Sequence, residues 1–131
     1  MKPKKATKQR PNVHMNFQLS DNACSALSDA LIFMLCLKDF SFDNAKINYD
    51  SASAAQAKLF DKDTILTRGE VRATAMAIDL VLQKFSADYS NYIYMEEEYP
   101  GILADLQGCL PTLKELHPTF ILAVKDLRKL K

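Results

Sequence analysis

The sequence predicts an all-α fold, a compact bundle of five or six helices, and three observations support this prediction. Glycine is rare and the prolines lie towards the two ends of the chain, which suits helices joined by short loops and suits a β-sandwich poorly. Apolar residues recur at three- and four-residue spacing in the longest segments. Serine, threonine and aspartate stand where these segments begin, as helix N-caps do.

The first predicted helix covers residues 21–38, and Ser20 or Asp21 can cap its free amides. The segment 30–37 has no polar face, and a helix of this kind is buried on every side. Either other helices of the chain surround it, or it completes a homodimer interface in which Leu31 and Met34 meet the partner. Its inner stripe consists of apolar residues at helical spacing: Ala23, Leu27, Ala30, Leu31 and Met34.

Residues 40–49 are the one place where an alternating pattern competes with a helical one. Aromatic and aliphatic residues flank a turn signal at Asp43 and Asn44, so this segment is either a short hairpin or an extended loop held by its aromatic side chains. An isolated hairpin is only marginally stable in water, and both alternatives stay open. The alanine-rich stretch that follows predicts a short helix over residues 51–61.

The strongest helix signal begins at Thr67. Thr67 and Glu70 match a capping box, in which hydroxyl and carboxylate each accept a hydrogen bond from the other residue's backbone amide. The segment 68–86 is therefore predicted to be an amphipathic core helix packed on the first one. Its apolar residues follow a four-three-four-three spacing: Val71, Ala75, Ile78, Leu82 and Phe85.

Prolines punctuate the C-terminal third of the chain. Proline is favoured at the first position of a helix, and the residue before it tends to be extended. Pro100, Pro111 and Pro118 therefore predict a series of shorter helices, at residues 101–108, 111–116 and 119–130. The apolar stripe of the last helix is predicted to be Ile121, Val124, Leu127 and Leu130.

The charge pattern divides the chain into a tail and one helical domain. The first eleven residues carry five positive charges and no acid, whereas residues 12–124 carry eight basic and fifteen acidic side chains. Lysine, proline and glutamine cannot offset their ordering entropy by burial. We therefore expect residues 1–14 to form a flexible basic tail and residues 15–131 to form the domain. The basic surplus at the C-terminus suits the last turn of a core helix, where cations complement the helix dipole.

No residue pattern predicts a catalytic centre, a metal site or a cofactor. His14 and His117 are the only histidines, and both are predicted to lie at the surface or at a helix junction. Glycine-rich phosphate loops and nucleophile elbows are absent from the sequence. Residues 61–63 resemble the start of a calcium loop, but Leu66 and Arg72 replace the required glycine and glutamate. The glutamates at 96–98 are interpreted as a solvated acidic face.

The three cysteines lie far apart and show no Cys-x-x-Cys pairing, which favours a reducing compartment, and we expect the cytoplasm. Cys36 is predicted to be an inert core thiol, since free cysteine usually behaves as a small buried hydrophobe. The longest apolar run has eight residues, well short of the ~20 that a membrane span needs, so no membrane association is expected.

Two patterns resemble nucleic-acid interfaces. A helix-turn-helix over residues 102–117 would present a second helix with one cation beside one anion, which is a poor phosphate-facing surface. A stacking platform of tyrosines would be followed directly by three glutamates, which repel a phosphate backbone. We interpret these tyrosines instead as a half-buried helix face: Tyr89, Tyr92, Tyr94 and Tyr99.

The function that the sequence predicts is that of a small non-enzymatic interaction or regulatory protein. It would act through its surface, by self-association or with an unidentified protein partner. The alternative is a nucleic-acid-associated protein whose basic tail contacts the phosphate backbone, because such contacts need only cations without intervening acids. The residues of that arm, which would equally suit an acidic protein partner, are Lys2, Lys4, Lys5, Lys8 and Arg10.

Overall fold

The fold is a set of helices arranged around one central helix. The computed structural model describes residues 14–129, so the predicted tail, apart from His14, lies outside the described residues. The predicted all-α bundle is confirmed, with six helices in the described part of the chain. In chain order the elements are β1 (His14–Asn16), α1 (Asp21–Cys36), α2 (Phe42–Ala45), α3 (Tyr49–Phe60), β2 (Ile65–Thr67), α4 (Arg68–Leu80), a 3-10 helix (Tyr89–Glu97) and α5 (Ile102–Arg128).

Helix α1 is the central element, as predicted, and packs against α3, α4 and α5. The Ser20 hydroxyl accepts a hydrogen bond from the Ala23 amide at 3.1 Å, which fixes where the helix begins. Leu31 and Met34 are both 0% exposed. The apolar segment is therefore surrounded by other helices of the same chain, and these two side chains lie in its core.

Residues 40–49 form no hairpin. The Ser41 hydroxyl accepts a hydrogen bond from the Asn44 amide and caps the single helical turn α2. This helical turn stands where the hairpin would have had its turn. Lys46 then ends the turn with a φ of 60°, in the left-handed region. Phe42 packs edge-on against Phe40 and Tyr49, with ring centroids 4.8 and 5.1 Å apart. The segment is a loop with one helical turn, held by its aromatic side chains.

The predicted capping box of α4 is present. The Thr67 amide donates to Glu70 Oε1 at 2.9 Å, and the Glu70 amide donates to Thr67 Oγ1 at 3.2 Å. Glu70 is also paired with Lys58 of α3 at 2.7 Å, so the cap joins the two helices. A Cβ at Gly69 would lie 2.6 Å from the Ser51 hydroxyl, and glycine therefore allows α3 to approach the start of α4 closely.

Helix α4 continues past Leu80 as one π-helical turn, Val81–Phe85, so the predicted helix over 68–86 is confirmed in its extent.

Thr67 also ends β2, which pairs antiparallel with β1 in a register that places His14 opposite Thr67. Neither strand is predicted from the sequence, because each has three residues, too few to show an alternating pattern. The ring of Phe17 stacks on that of Phe120 at 4.5 Å just after β1, which ties the start of the described chain to α5.

The prediction of three short C-terminal helices is wrong, because α5 is a single helix of 27 residues with Pro111 and Pro118 inside it. Each proline removes one helical hydrogen bond, which leaves the carbonyl four residues earlier without its amide partner. Both prolines lie on exposed positions, as do Gln107 and Lys114, so these carbonyls lie on the solvent side. The buried face recurs every seven residues, at Leu106, Leu113, Phe120 and Leu127.

The first turn of α5 is held by a side chain from the segment before it. Gly101 has a φ of 89°, a conformation that glycine adopts readily, and Glu96 accepts hydrogen bonds from the amides of Gly101 and Leu103 at 2.7 and 2.9 Å. These two bonds lower the pKa of Glu96 from its ordinary value. Among residues 14–129, no helix is long and apolar enough to cross a bilayer.

Candidate functional site

Two grooves border α5 at different points along its length. The N-terminal half of the helix lines a polar groove together with α1 and the end of α3. The C-terminal half lines a second groove together with α4 and the loop around α2. Both grooves are open to solvent, and they differ in the chemistry of their walls.

The polar groove has a volume of about 580 Å³ and contains two carboxylates, Asp29 and Asp105, beside the thiol of Cys109. Burial, with a smaller contribution from the Asp105 charge, raises the pKa of Asp29 to about 6. Burial, with smaller contributions that include the Asp29 charge, raises the pKa of Cys109 to about 12. The groove therefore offers one carboxyl group that titrates just below neutral pH, next to a thiol that stays protonated.

The other two thiols are also held in the protonated form. Burial raises the pKa of Cys24. Burial, assisted by Glu98, raises the pKa of Cys36 to about 11. Cys36 was predicted to lie inside the core, but it is half-buried, with Sγ 3.9 Å from Glu98 Oε1. Because the thiolate is the nucleophilic form of cysteine, these environments disfavour nucleophilic catalysis by any of the three cysteines at neutral pH.

The second groove lies between α4 and the C-terminal half of α5 and has a volume of about 300 Å³. The two helices run antiparallel along it. Arg68 Nη1 donates to the Leu127 carbonyl at 3.0 Å at one end, and His117 Nε2 lies 2.7 Å from Asp79 Oδ1 at the other. We call this site the α4–α5 groove. It is lined by Ala45, Ile47, Arg72, Ala75, Met76, Asp79, Ile121, Val124, Lys125 and Arg128.

The lining of the α4–α5 groove combines aliphatic side chains with three cations. Arg72, Lys125 and Arg128 are exposed, and none of them forms an ion pair with another described residue. All sixteen acidic side chains of the chain fall within residues 14–129, so these cations gather on an otherwise acidic body. The groove is thus a positively charged apolar surface on a negatively charged domain.

The predicted stripe of the last helix explains part of this groove. Ile121 and Val124 were assigned to the core, but the core-facing residues are Phe120 and Ala123, one position earlier in each case. Ile121 and Val124 are half-exposed and line the α4–α5 groove instead. Of the predicted stripe, Leu127 does lie in the core, and Leu130 is outside the described residues.

The structure places the other predicted site residues as follows. The five basic residues of the tail lie outside the described residues. Residues 102–117 form continuous helix with no turn, which excludes the helix-turn-helix. Of the four tyrosines expected on a half-buried helix face, Tyr92 and Tyr94 are half-buried, whereas Tyr89 and Tyr99 are exposed. Tyr92 packs edge-on against Phe33 at 5.0 Å, and the Tyr94 hydroxyl accepts a hydrogen bond from the Lys38 amide at 3.2 Å.

The two histidines lie on different elements, β1 and α5. His117 pairs with Asp79, and His14 is exposed at the start of β1. Over residues 14–129, no group of three or more histidine, cysteine or acidic side chains is arranged to hold a metal ion. The α4–α5 groove leaves no signal in the sequence, because its cations come from two helices far apart in the chain and each cation alone resembles an ordinary surface charge.

Comparison with family models, curated proteins and solved structures gives no significant match to this chain. The arrangement of side chains in the two grooves is therefore the basis for the functional proposal.

Proposed function

We propose that this chain is a non-enzymatic interaction protein with a regulatory role, and that it acts by binding a protein partner through its surface. The observation that carries the proposal is the α4–α5 groove, where aliphatic side chains line one concave surface together with three cations that form no ion pair with any residue of the described range 14–129. Apolar patches rimmed by polar groups are typical of protein-binding surfaces. We also propose a cytoplasmic location, since Cys24, Cys36 and Cys109 are all free.

The state of the titratable groups supports binding over catalysis. Nucleophilic catalysis needs an activated nucleophile with a base beside it. The Cys109 thiol has a pKa of about 12, and the residues that line its groove include no histidine. The close His117–Asp79 pair lies at the end of the α4–α5 groove, and the lining of that groove contains no serine, threonine or cysteine that this pair could activate.

The proposal is tested by affinity capture with the full-length chain as bait in an extract of the source cells, with and without nuclease treatment. A protein partner that is captured at near-stoichiometric amounts, and that survives nuclease, supports the proposal. Light scattering on the purified chain shows whether the partner is a second copy. The proposal is contradicted if the purified chain stays monomeric and captures no more protein than a control bait whose surface residues have been exchanged.

A second candidate is binding to nucleic acid through Lys2, Lys4, Lys5, Lys8 and Arg10. The observation that favours it is the position of β1, which pairs with β2 at the start of α4 and thus brings His14 to the same end of the molecule as Arg68 and the end of α5. The chain therefore enters the described fold at its basic end. Phosphate-backbone contacts of this kind weaken steeply as salt concentration rises.

The test of the second candidate is deletion of residues 2–11. Binding of a fluorescent single-stranded RNA or DNA should fall with salt in the full chain and should be lost in the truncated one. Equal binding by both forms would exclude the tail as the contact. A matched control replaces the five basic residues with glutamine and keeps the length of the segment unchanged.

A further inference from the structure

We infer that the α4–α5 groove binds an acidic segment of a protein partner, in which apolar anchor residues are flanked by aspartate or glutamate. This inference rests on the proposed function, because it names the partner class and the surface for the same activity. The shape, the charge and the length of the groove support it.

The walls of the groove suit apolar anchors. Ala75 and Ile47 are buried, while Met76, Ile121 and Val124 are half-buried and remain accessible. Methionine has a flexible, polarizable side chain that adapts to differently shaped partners, and it is common in surfaces that bind peptides. A volume of about 300 Å³ holds two or three aliphatic side chains, fewer than a large ligand pocket would.

The charges of the groove specify an acidic partner. Arg72 on α4 and Arg128 and Lys125 on α5 lie at the end near the Arg68–Leu127 hydrogen bond. None of the three is neutralised by a described carboxylate, so their charge is available for charge-assisted hydrogen bonds to an incoming one. An arginine fork binds a carboxylate through two parallel hydrogen bonds. Charge complementarity of this kind selects partners and speeds their association.

The opposite end of the groove limits the orientation of the partner. Asp79 lines that end, where His117 Nε2 lies 2.7 Å from its Oδ1, and its carboxylate disfavours a second carboxylate beside it. The acidic residues of the partner should therefore lie towards Arg128, with its apolar anchors above Met76. From Arg72 to Asp79 the helix rises by about 10 Å, the length of two helical turns of a bound segment.

A nucleic acid fits this groove less well than a peptide. Single-stranded nucleic acids bind through stacking of bases on aromatic side chains, and no aromatic residue lines the α4–α5 groove. The aliphatic side chains of the walls would also have no apolar group to pack against under a phosphate backbone. The surrounding domain is acidic, so phosphate groups outside the three cations would be repelled.

The experiment is a selection of 16-residue peptides from a random phage-displayed library on the full-length chain, followed by affinity measurements with fluorescent versions of the enriched peptides. The groove variant is Arg72→Glu with Lys125→Glu. The matched control is Lys114→Glu, which reverses the charge of an exposed lysine on the same helix α5 outside the groove. Circular dichroism and thermal melting show that each variant is folded before binding is measured.

The expected result is enrichment of peptides that combine acidic and large apolar residues. Their dissociation constants should rise at least tenfold in the groove variant and stay within twofold in the control. Backbone amide shifts in NMR spectra should move at Met76 and Val124. If the groove variant does not fold, the milder substitution Val124→Ser is compared with the unmodified chain instead. It removes an apolar contact in the wall of the groove and should also raise the dissociation constants.

Three results would overturn the inference. The first is that no peptides are enriched, and the second is that the enriched peptides bind the groove variant as well as the unmodified chain. The third is that single-stranded RNA binds more tightly than the peptides do and loses this binding in the groove variant. The proposed function fails separately, when affinity capture finds no protein partner. A captured partner that binds the groove variant unchanged would leave the proposed function standing and place its surface elsewhere.

Discussion

Replacing Asp29 by asparagine should stabilise the protein at neutral pH and have little effect at acid pH. Asp29 lies in the polar groove between α1 and α5, where burial is the main cause of its raised pKa and the charge of Asp105 a smaller one. The folded chain therefore favours the neutral carboxyl group, and ionising it at neutral pH costs folding free energy. Asparagine has nearly the same shape and carries no charge, so it avoids that cost.

The size of the effect follows from the two pKa values. A rise from 3.8 to about 6 corresponds to a ceiling of about 3 kcal/mol. The side chain is only partly buried, so solvent screens its charge and the expected gain is about 1 kcal/mol. The sign is fixed by proton binding. Between pH 4 and pH 6 the folded chain holds a proton at Asp29 that the unfolded chain has released, so the unmodified protein loses stability as pH rises through this range.

The assay is urea unfolding of both proteins, followed by circular dichroism at several pH values from 4 to 7.5. The difference in the free energy of unfolding should be small at pH 4, grow through pH 6 and then level off. A difference that is independent of pH would show that ionisation of Asp29 is not its cause. An advantage that grows towards acid pH would show that the ionised Asp29 carboxylate does not destabilise the folded chain. Asp39→Asn, which makes the same substitution at an exposed turn position, is the matched control for the loss of one carboxylate from the chain.

Three further predictions concern the helices and the thiols. Pro118→Ala should raise the free energy of unfolding by about 1 kcal/mol, because the new amide can donate a hydrogen bond to the Lys114 carbonyl. A lower free energy of unfolding in urea titrations would mean that the proline stabilises α5. Thr67→Ala removes the hydroxyl half of the α4 capping box and should cost about 1 kcal/mol in the same titration, and an unchanged midpoint would contradict the role of that cap. Cys36 and Cys109 should react with an alkylating reagent at pH 8 much more slowly than free cysteine and recover the ordinary rate in denaturant, whereas fast labelling of the folded chain would show ionised thiols.

The elements that could be predicted from sequence are those with strong local signals. The start of α4 depends on Thr67 and Glu70, three residues apart, and the capping box is present as expected. The central position of α1 follows from its segment without a polar face, since such a helix needs neighbours on every side. These features are local in the chain, and the sequence alone is enough to recognise them.

The C-terminal helix shows where local signals are overruled. A proline inside a helix costs about 3 kcal/mol, so Pro111 and Pro118 each favour a helix boundary when the sequence is considered by itself. Continuous helix keeps the buried leucine and phenylalanine side chains on one face, and each buried side chain of this size contributes about 1.5–3 kcal/mol. Only packing against α1 and α4 supplies that burial, so only the tertiary structure decides that α5 is one helix.

The helical class of this protein, its central helix and the uneven distribution of its charge can be recognised from the residues alone, because each of these depends on neighbouring residues or on composition. The β1–β2 pairing, the burial of Leu31 and Met34 within one chain, and the α4–α5 groove become visible only in the folded chain. Arg72 and Lys125 belong to one cationic surface only because α4 and α5 pack antiparallel. Contacts between residues so far apart in the chain depend on how helices share a core, and no local spacing encodes that.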